Sequence, residues 1–240
     1  MKGTSCLKIF EIFLGVFLPL TFLHAGIHST CTDTSQHLDP VKSLQLDSIH
    51  PVRFSTHQLW PPLTLVCSGI ALDLFHGIKN TQRNLHQDRL KGFHTAVDNM
   101  LLFAPVALPY GLDLLGVRGK TDIADRTAIL VKGELLMLAT STVLKHSIRE
   151  QRPDKSNHYS FPSGHAMQIF ATATLLSEEY KDRYKWMPYV AYGMASAVGI
   201  LRMANNKHYL GDVLVGAGLG ILTMKLAYWT HRYKWSKTRR

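Results

Sequence analysis

The sequence predicts an all-α protein, a helical bundle with about six transmembrane helices. Three observations lead there. Apolar segments follow one another at residues 100–115, 128–144, 166–176, 187–201 and 213–229, most of them shorter than the roughly 20 residues of a clean span. Several hold an ionisable residue, namely Asp113, Lys132, Glu134 and Lys225, and inside a bilayer such a residue faces the bundle interior or a polar cavity. Basic residues collect at the segment ends, in a chain that is 46% hydrophobic with a net charge of +10.

Taken in order, the chain opens with Lys2 and Lys8, an apolar run over 9–23, then Ala25 and Gly26. This is the layout of a secretory signal, but Glu11 interrupts the run and the cleavage site is poor. Residues 1–26 are therefore expected to be a signal peptide or a first membrane anchor. Residues 27–58 are polar, without strong periodicity, and read as exposed and loosely structured. The segment 59–75 is apolar, yet Pro61, Pro62 and Asp73 count against a crossing, and the charged stretch 76–94 reads as a surface helix. Residues 27–98 thus form a polar segment with surface helices, 99–230 the helical bundle, and 231–240 a basic tail.

Charge sets the sidedness. The tail carries Arg232, Lys234, Lys237, Arg239 and Arg240 with no acid, so it belongs in the cytoplasm. Walking back span by span places 181–185 and 117–126 inside and His165 and His208 outside. With 9–23 retained as a span and 59–75 not crossing, there are six crossings, and 59–94 lies on the outer surface near the site. Cys6, Cys31 and Cys67 contain no C-x-x-C and indicate neither a disulfide framework nor a zinc site. No basic-aromatic recognition motif is present, which argues against nucleic acid; anionic lipid headgroups suit the basic balance better.

Between residues 145 and 212 lie three clusters that make sense together as one phosphate site. They are Lys145, Arg152 and Pro153 (K-x6-R-P), the run Pro162-Ser163-Gly164-His165, and Arg202, His208 and Asp212 (R-x5-H-x3-D). Lys145, Arg152 and Arg202 supply cations that neutralise a transferring phosphoryl group. On a helix ended by Pro153, Lys145 and Arg152 would share a face. Ser163 and Gly164 precede an apolar run and are expected at a helix N-terminus, where free N–H groups favour an anion. If His208 and Asp212 share a helical face, the carboxylate fixes the imidazole tautomer, which makes His208 the nucleophile. His165 is then the general acid. His146 and His158 match no position in this scheme. Each residue has an ordinary structural role open to it when taken alone; the ordered constellation carries the inference.

These clusters resemble the signature of the type 2 phosphatidic acid phosphatase (PAP2) superfamily, which also includes class A acid phosphatases and vanadium haloperoxidases. The resemblance covers roughly the last half of the chain. It implies a PAP2-type helical bundle, no metal or other cofactor, a phosphohistidine intermediate, and the roles given above for Lys145, Arg152, Ser163, Gly164, His165, Arg202, His208 and Asp212. One position departs: Leu201 stands where the family usually has Ser. The stretches FPSGHA and LRMANNKHYLGD are similar to phosphatases acting on lipid A, so the expected activity is removal of phosphate from a membrane lipid at the periplasmic face of a bacterial inner membrane. Lipid A phosphate is the favoured substrate; undecaprenyl pyrophosphate, phosphatidic acid and phosphatidylglycerophosphate stay open. A soluble periplasmic acid phosphatase, a haloperoxidase and a non-catalytic phospholipid-binding membrane protein are the alternatives.

Overall fold

The computed structural model describes residues 56–231. The expectations for 1–26, for 27–55 and for the tail 232–240 lie outside the described residues. Within them the chain is helical, with no strand. A 3-10 turn at Thr56–Leu59 leads into α1 (Trp60–Leu74), followed by α2 (His76–Arg89), α3 (Val97–Leu101), α4 (Ala104–Leu114), α5 (Ile123–Ile148), α6 (Gly164–Tyr180), α7 (Met187–Ala204) and α8 (Leu210–Trp229).

Four of the five apolar segments read from the sequence form single helices, most of them extended by a few residues. Segment 100–115 is broken into α3 and α4, with Pro105 near the start of α4 and Pro109 inside it. Helix α5 stops at Ile148, because Arg149 takes a left-handed conformation (φ 49°, ψ 46°) and its N–H returns to the Lys145 carbonyl. The expected helix from Lys145 to Arg152 is therefore corrected: Arg152 lies beyond the helix, in a turn where its N–H bonds the Asn157 carbonyl at 3.0 Å. Proline at 153 disfavours helical geometry in the residue before it, so the helix ends early and the turn, not a shared face, carries Arg152 to Lys145.

Helices α6 and α8 form the centre. On α6 nearly every residue is buried, and Ile169, Phe170, Ala173, Leu176 and Tyr180 pack with Ala191, Ala195 and Val198 of α7 and Ala217 and Ile221 of α8. A second cluster joins Ile129 of α5 to Ala171, Leu175, Met224 and Ala227. Glycines allow the backbones to meet. A Cβ at Gly220 would lie 2.2 Å from the Met167 carbonyl oxygen, and one at Gly218 would lie 2.5 Å from that of Pro62. Such distances exclude any side chain without separating the helices.

The Gly218 contact reveals a difference from the expectation for 59–75. Helix α1 does not rest on the outer surface; it packs lengthwise against α8. Gln58 reaches Lys225 at one end (3.3 Å), and Gly69 meets Gly211 at the other. Small residues on α8 and the position of Asp73 at the helix end, rather than mid-span, make this fit. Helix α1, the α3–α4 pair and α5 to α8 thus run alternately between two ends of the bundle. By length and composition α5 and α8 can each cross a membrane, and α1 and α2, a pair bent by 83°, pass the same test together. Helix α2 instead lies across the end of the bundle where the three clusters meet.

Candidate active site

The site is built from four chain segments at one end of the bundle. Helix α5 delivers Lys145 in its last turn. The 149–163 loop returns Arg152, Ser160 and Ser163, and α6 begins with Gly164 and His165. The end of α7 supplies Arg202, and the turn before α8 supplies His208. Lys145 lies within electrostatic range of Arg152, Arg202 and Asp212, and His165 within range of Arg202, Asp98, His208 and Arg152. The three sequence clusters therefore converge.

Ser163 caps α6, its Oγ accepting from the Ala166 N–H at 3.4 Å, as expected for the residue before a helix. Lys145 Nζ donates to the Pro162 and Tyr159 carbonyls at 3.0 and 3.2 Å, and an ammonium keeps a third donor. A Cβ on Gly164 would meet only the Lys145 side chain, at 3.8 Å. Protein packing thus does not demand glycine there, whereas close approach of a ligand to the backbone would.

The arginines are partly satisfied. Arg202 Nη1 donates to the buried Asp98 carboxylate at 2.6 Å, but its Nε, like that of Arg152, is buried and makes no hydrogen bond among the described residues. A buried donor without a partner is costly. Two on cations beside one another fit an oxyanion, whose oxygens accept several such bonds.

His208 is buried, and its Nδ1–H donates to the Ser160 carbonyl at 2.9 Å. A carbonyl can only accept, so the proton is on Nδ1 and the Nε2 lone pair is free. Asp212, expected from sequence to fix this tautomer, stands 3.6 Å from Nδ1, too far for a hydrogen bond. The reason is that Tyr209 has extended geometry as the residue before α8, so His208 and Asp212 do not share a helix. Asp212 accepts instead from Ser160 Oγ (2.5 Å) and the Tyr209 N–H (2.9 Å). It holds the residue whose carbonyl holds the histidine. Burial keeps the His208 pKa below the usual histidine value; the nearby Asp212 opposes this, and Arg152 and Arg202 reinforce it. The imidazole is kept neutral.

Several contributors escaped the sequence reading. His165 Nε2 donates to Asn99 Oδ1 at 2.8 Å, so adjacent residues Asp98 and Asn99 grip Arg202 and His165. Ser160 and Gln82 also act on the His208 segment. Asp98, Asn99 and Ser160 are single polar residues with no local spacing to mark them, whereas Gln82 lies on a polar stripe of α2. Asp73, Glu150 and Asp212 form an acidic group, but the Lys79 ammonium bridges Asp73 and Glu150 and already supplies the cation there.

The chain is similar to several known proteins. Over 154 residues the chain is 35% identical to the lipid A 1-phosphatase of Porphyromonas gingivalis, covering 62% of this chain and 35% of that protein. Over 108 residues it is 33% identical to phosphatidylglycerophosphatase B of Bacillus subtilis, covering 38% of this chain and 53% of that one. The chain thus spans about a third to a half of the length of these curated relatives. A crystal structure of Aquifex aeolicus LpxE superposes with a TM-score of 0.44 at 21% identity, over 65% of this chain and 93% of that one. The PAP2 superfamily description matches residues 127–236. Those residues hold every cation and histidine of the convergent site, and they are similar to the PAP2 superfamily.

Proposed function

We propose that the protein is an integral membrane phosphatase that removes phosphate from a membrane lipid, with a lipid A phosphate as its substrate and no metal in the reaction. The observation that carries this reading is the pairing of two buried, unsatisfied guanidinium Nε donors with a neutral histidine whose Nε2 is free. His208 Nε2 attacks phosphorus, forming a P–N bond as the P–O bond to the lipid breaks. His165, in its protonated imidazolium form, gives a proton to the departing lipid oxygen and is left neutral. Lys145, Arg152, Arg202 and the backbone at Ser163 and Gly164 take the charge on the three phosphoryl oxygens. A water that yields its proton to His165 then cleaves the P–N bond, releasing inorganic phosphate and restoring both histidines. Asp212 anchors Ser160 and favours the transient positive charge on His208.

The preference for lipid A phosphate rests on the Porphyromonas relative, and undecaprenyl pyrophosphate and phosphatidylglycerophosphate are the competing substrates. The site is assigned to the periplasmic face of the inner membrane. Support comes from Arg118, Lys120, Lys181, Arg183 and Lys185 lying at the opposite end of the bundle, where α8 also ends. In this reading α1 supplies the sixth crossing. The test is phosphate release by detergent-purified protein from lipid A, undecaprenyl pyrophosphate, phosphatidylglycerophosphate and a soluble phosphomonoester, with His208→Ala as control. Turnover favouring one lipid supports the reading. Faster turnover of the soluble ester, or none at all, overturns it.

A further inference from the structure

Helix α2 belongs to none of the three clusters, yet it meets the segment carrying His208 at successive points. Its half-buried residues are Lys79, Gln82, Arg83 and His86, with every other position exposed. The spacing i, i+3, i+4, i+7 is one helical face, and here it is the polar face that turns inward. His86 Nε2 lies 3.1 Å from the Ala204 carbonyl oxygen. Arg83 donates to the Tyr209 hydroxyl from Nε (2.8 Å) and Nη2 (2.5 Å). Lys79 stands over the Tyr209 ring, 5.2 Å from its centroid.

Gln82 lies between them and makes the most specific contact. Its Nε2 donates to the His208 carbonyl at 3.0 Å, and its Oε1 accepts from the Leu210 N–H at 3.0 Å. The backbone partners fix the amide orientation, since a carbonyl cannot donate and an N–H cannot accept. One planar side chain thus brackets the backbone on both sides of Tyr209. We propose that Gln82 is a positioning residue for His208: it holds the backbone of the nucleophile while the Ser160 carbonyl holds the ring. The imidazole is then fixed from two directions, by groups 126 and 48 residues away in sequence. This inference rests on His208 being the nucleophile.

The test uses the full chain in detergent, with Gln82→Leu and Gln82→Glu compared with wild type and His208→Ala. Leucine keeps most of the volume and removes both hydrogen bonds. It should lower kcat by roughly 10- to 100-fold, the scale of a small misplacement of a reacting group, with KM and melting temperature little changed. Glutamate still accepts from Leu210 N–H but can donate to the His208 carbonyl only when protonated, so its kcat relative to wild type should rise as pH falls. A Gln82→Leu variant with wild-type kcat, or one whose loss follows its melting temperature, overturns the proposal. So does a pH-independent ratio for Gln82→Glu. Nitrogen-15 spectra of histidine-labelled protein, with His208 identified by its absence in His208→Ala, separate this from failure of the phosphatase reading. If wild type turns over no substrate but Gln82→Leu shifts the His208 ring resonances, the clamp stands and the nucleophile role falls. Unshifted His208 resonances sink the clamp whatever the activity.

Discussion

Buried arginines occur at both ends of this bundle, and the two ends use them differently. At the end away from the site, Arg126 is fully engaged. Its Nε donates to Glu179 (3.2 Å), its Nη1 to Asp113 (2.5 Å) and the Pro109 carbonyl (3.1 Å), and its Nη2 to the Thr121 carbonyl (3.0 Å). Glu179 also accepts from Tyr228 (2.6 Å) and Thr121 Oγ1 (2.8 Å). At the site end, Arg152 and Arg202 each keep a buried Nε with no partner among the described residues. The first arrangement ties α4, α5, α6 and α8 together with the protein's own groups. The second is complete only when an anion joins it. Arginines at the two ends thus carry different chemistry, and the hydrogen bonds left unmade distinguish them.

The comparison can be broken by substitution. The largest effect expected on turnover is that of His208→Ala, which removes the proposed nucleophile and should lower kcat roughly 10⁴-fold or more with an unchanged melting temperature; substantial residual turnover would exclude it as nucleophile. Arg152→Met should follow, losing about 10²- to 10³-fold in kcat while the fold stays intact in thermal unfolding. Arg126→Met should do the reverse. It leaves Asp113 and Glu179 buried without their cation, which costs about 3–5 kcal/mol, so detergent-solubilised protein should unfold at much lower temperature while any surviving folded fraction keeps its kcat. If Arg152→Met destabilises and Arg126→Met only slows turnover, the contrast between the ends is wrong.

A smaller effect concerns pH. A histidine with a lowered pKa stays neutral, and so nucleophilic, to lower pH. The acidic limb of kcat/KM should therefore fall below the usual histidine value of about 6.5. Arg152 is among the groups that hold the His208 pKa down, so the residual activity of Arg152→Met should show this limb moved upward; a downward move would contradict the assignment. The smallest effect expected is that of a metal chelator, which should leave the rate of phosphate release unchanged.

Much of this contrast was legible in the sequence, though unevenly. Lys145, Arg152, Arg202, His165 and His208 stood out because charged and titratable residues at fixed spacings beside apolar segments have few ordinary uses, and the structure brings them together. The apolar segments gave their helices for the same reason, since burial is a property of many residues at once. What escaped depended on exact backbone paths. The left-handed turn at Arg149 ended α5 early, and the extended Tyr209 separated His208 from Asp212; neither residue type announces such a conformation. The packing of α1 on α8 was hidden because Pro61, Pro62 and Asp73 weaken α1 as an isolated span, while the glycines that receive it lie some 150 residues later. Asp98, Asn99 and Ser160 had no pattern at all. Gln82 did have one, the inward polar stripe of α2, but a charged helix reads first as one that turns its charges to water.

The contact between α1 and α8 also bears on how the protein is made. Helix α1 is synthesised long before the helix against which Pro62, Val66 and Gly69 pack, and until α8 is made those residues lack that partner. The packing of α1 is therefore completed only after α2 to α7 have been made, and the His208 segment, which α2 contacts and which leads into α8, is put in place in the same late event. The packing of α1 and the placing of His208 thus both wait on α8.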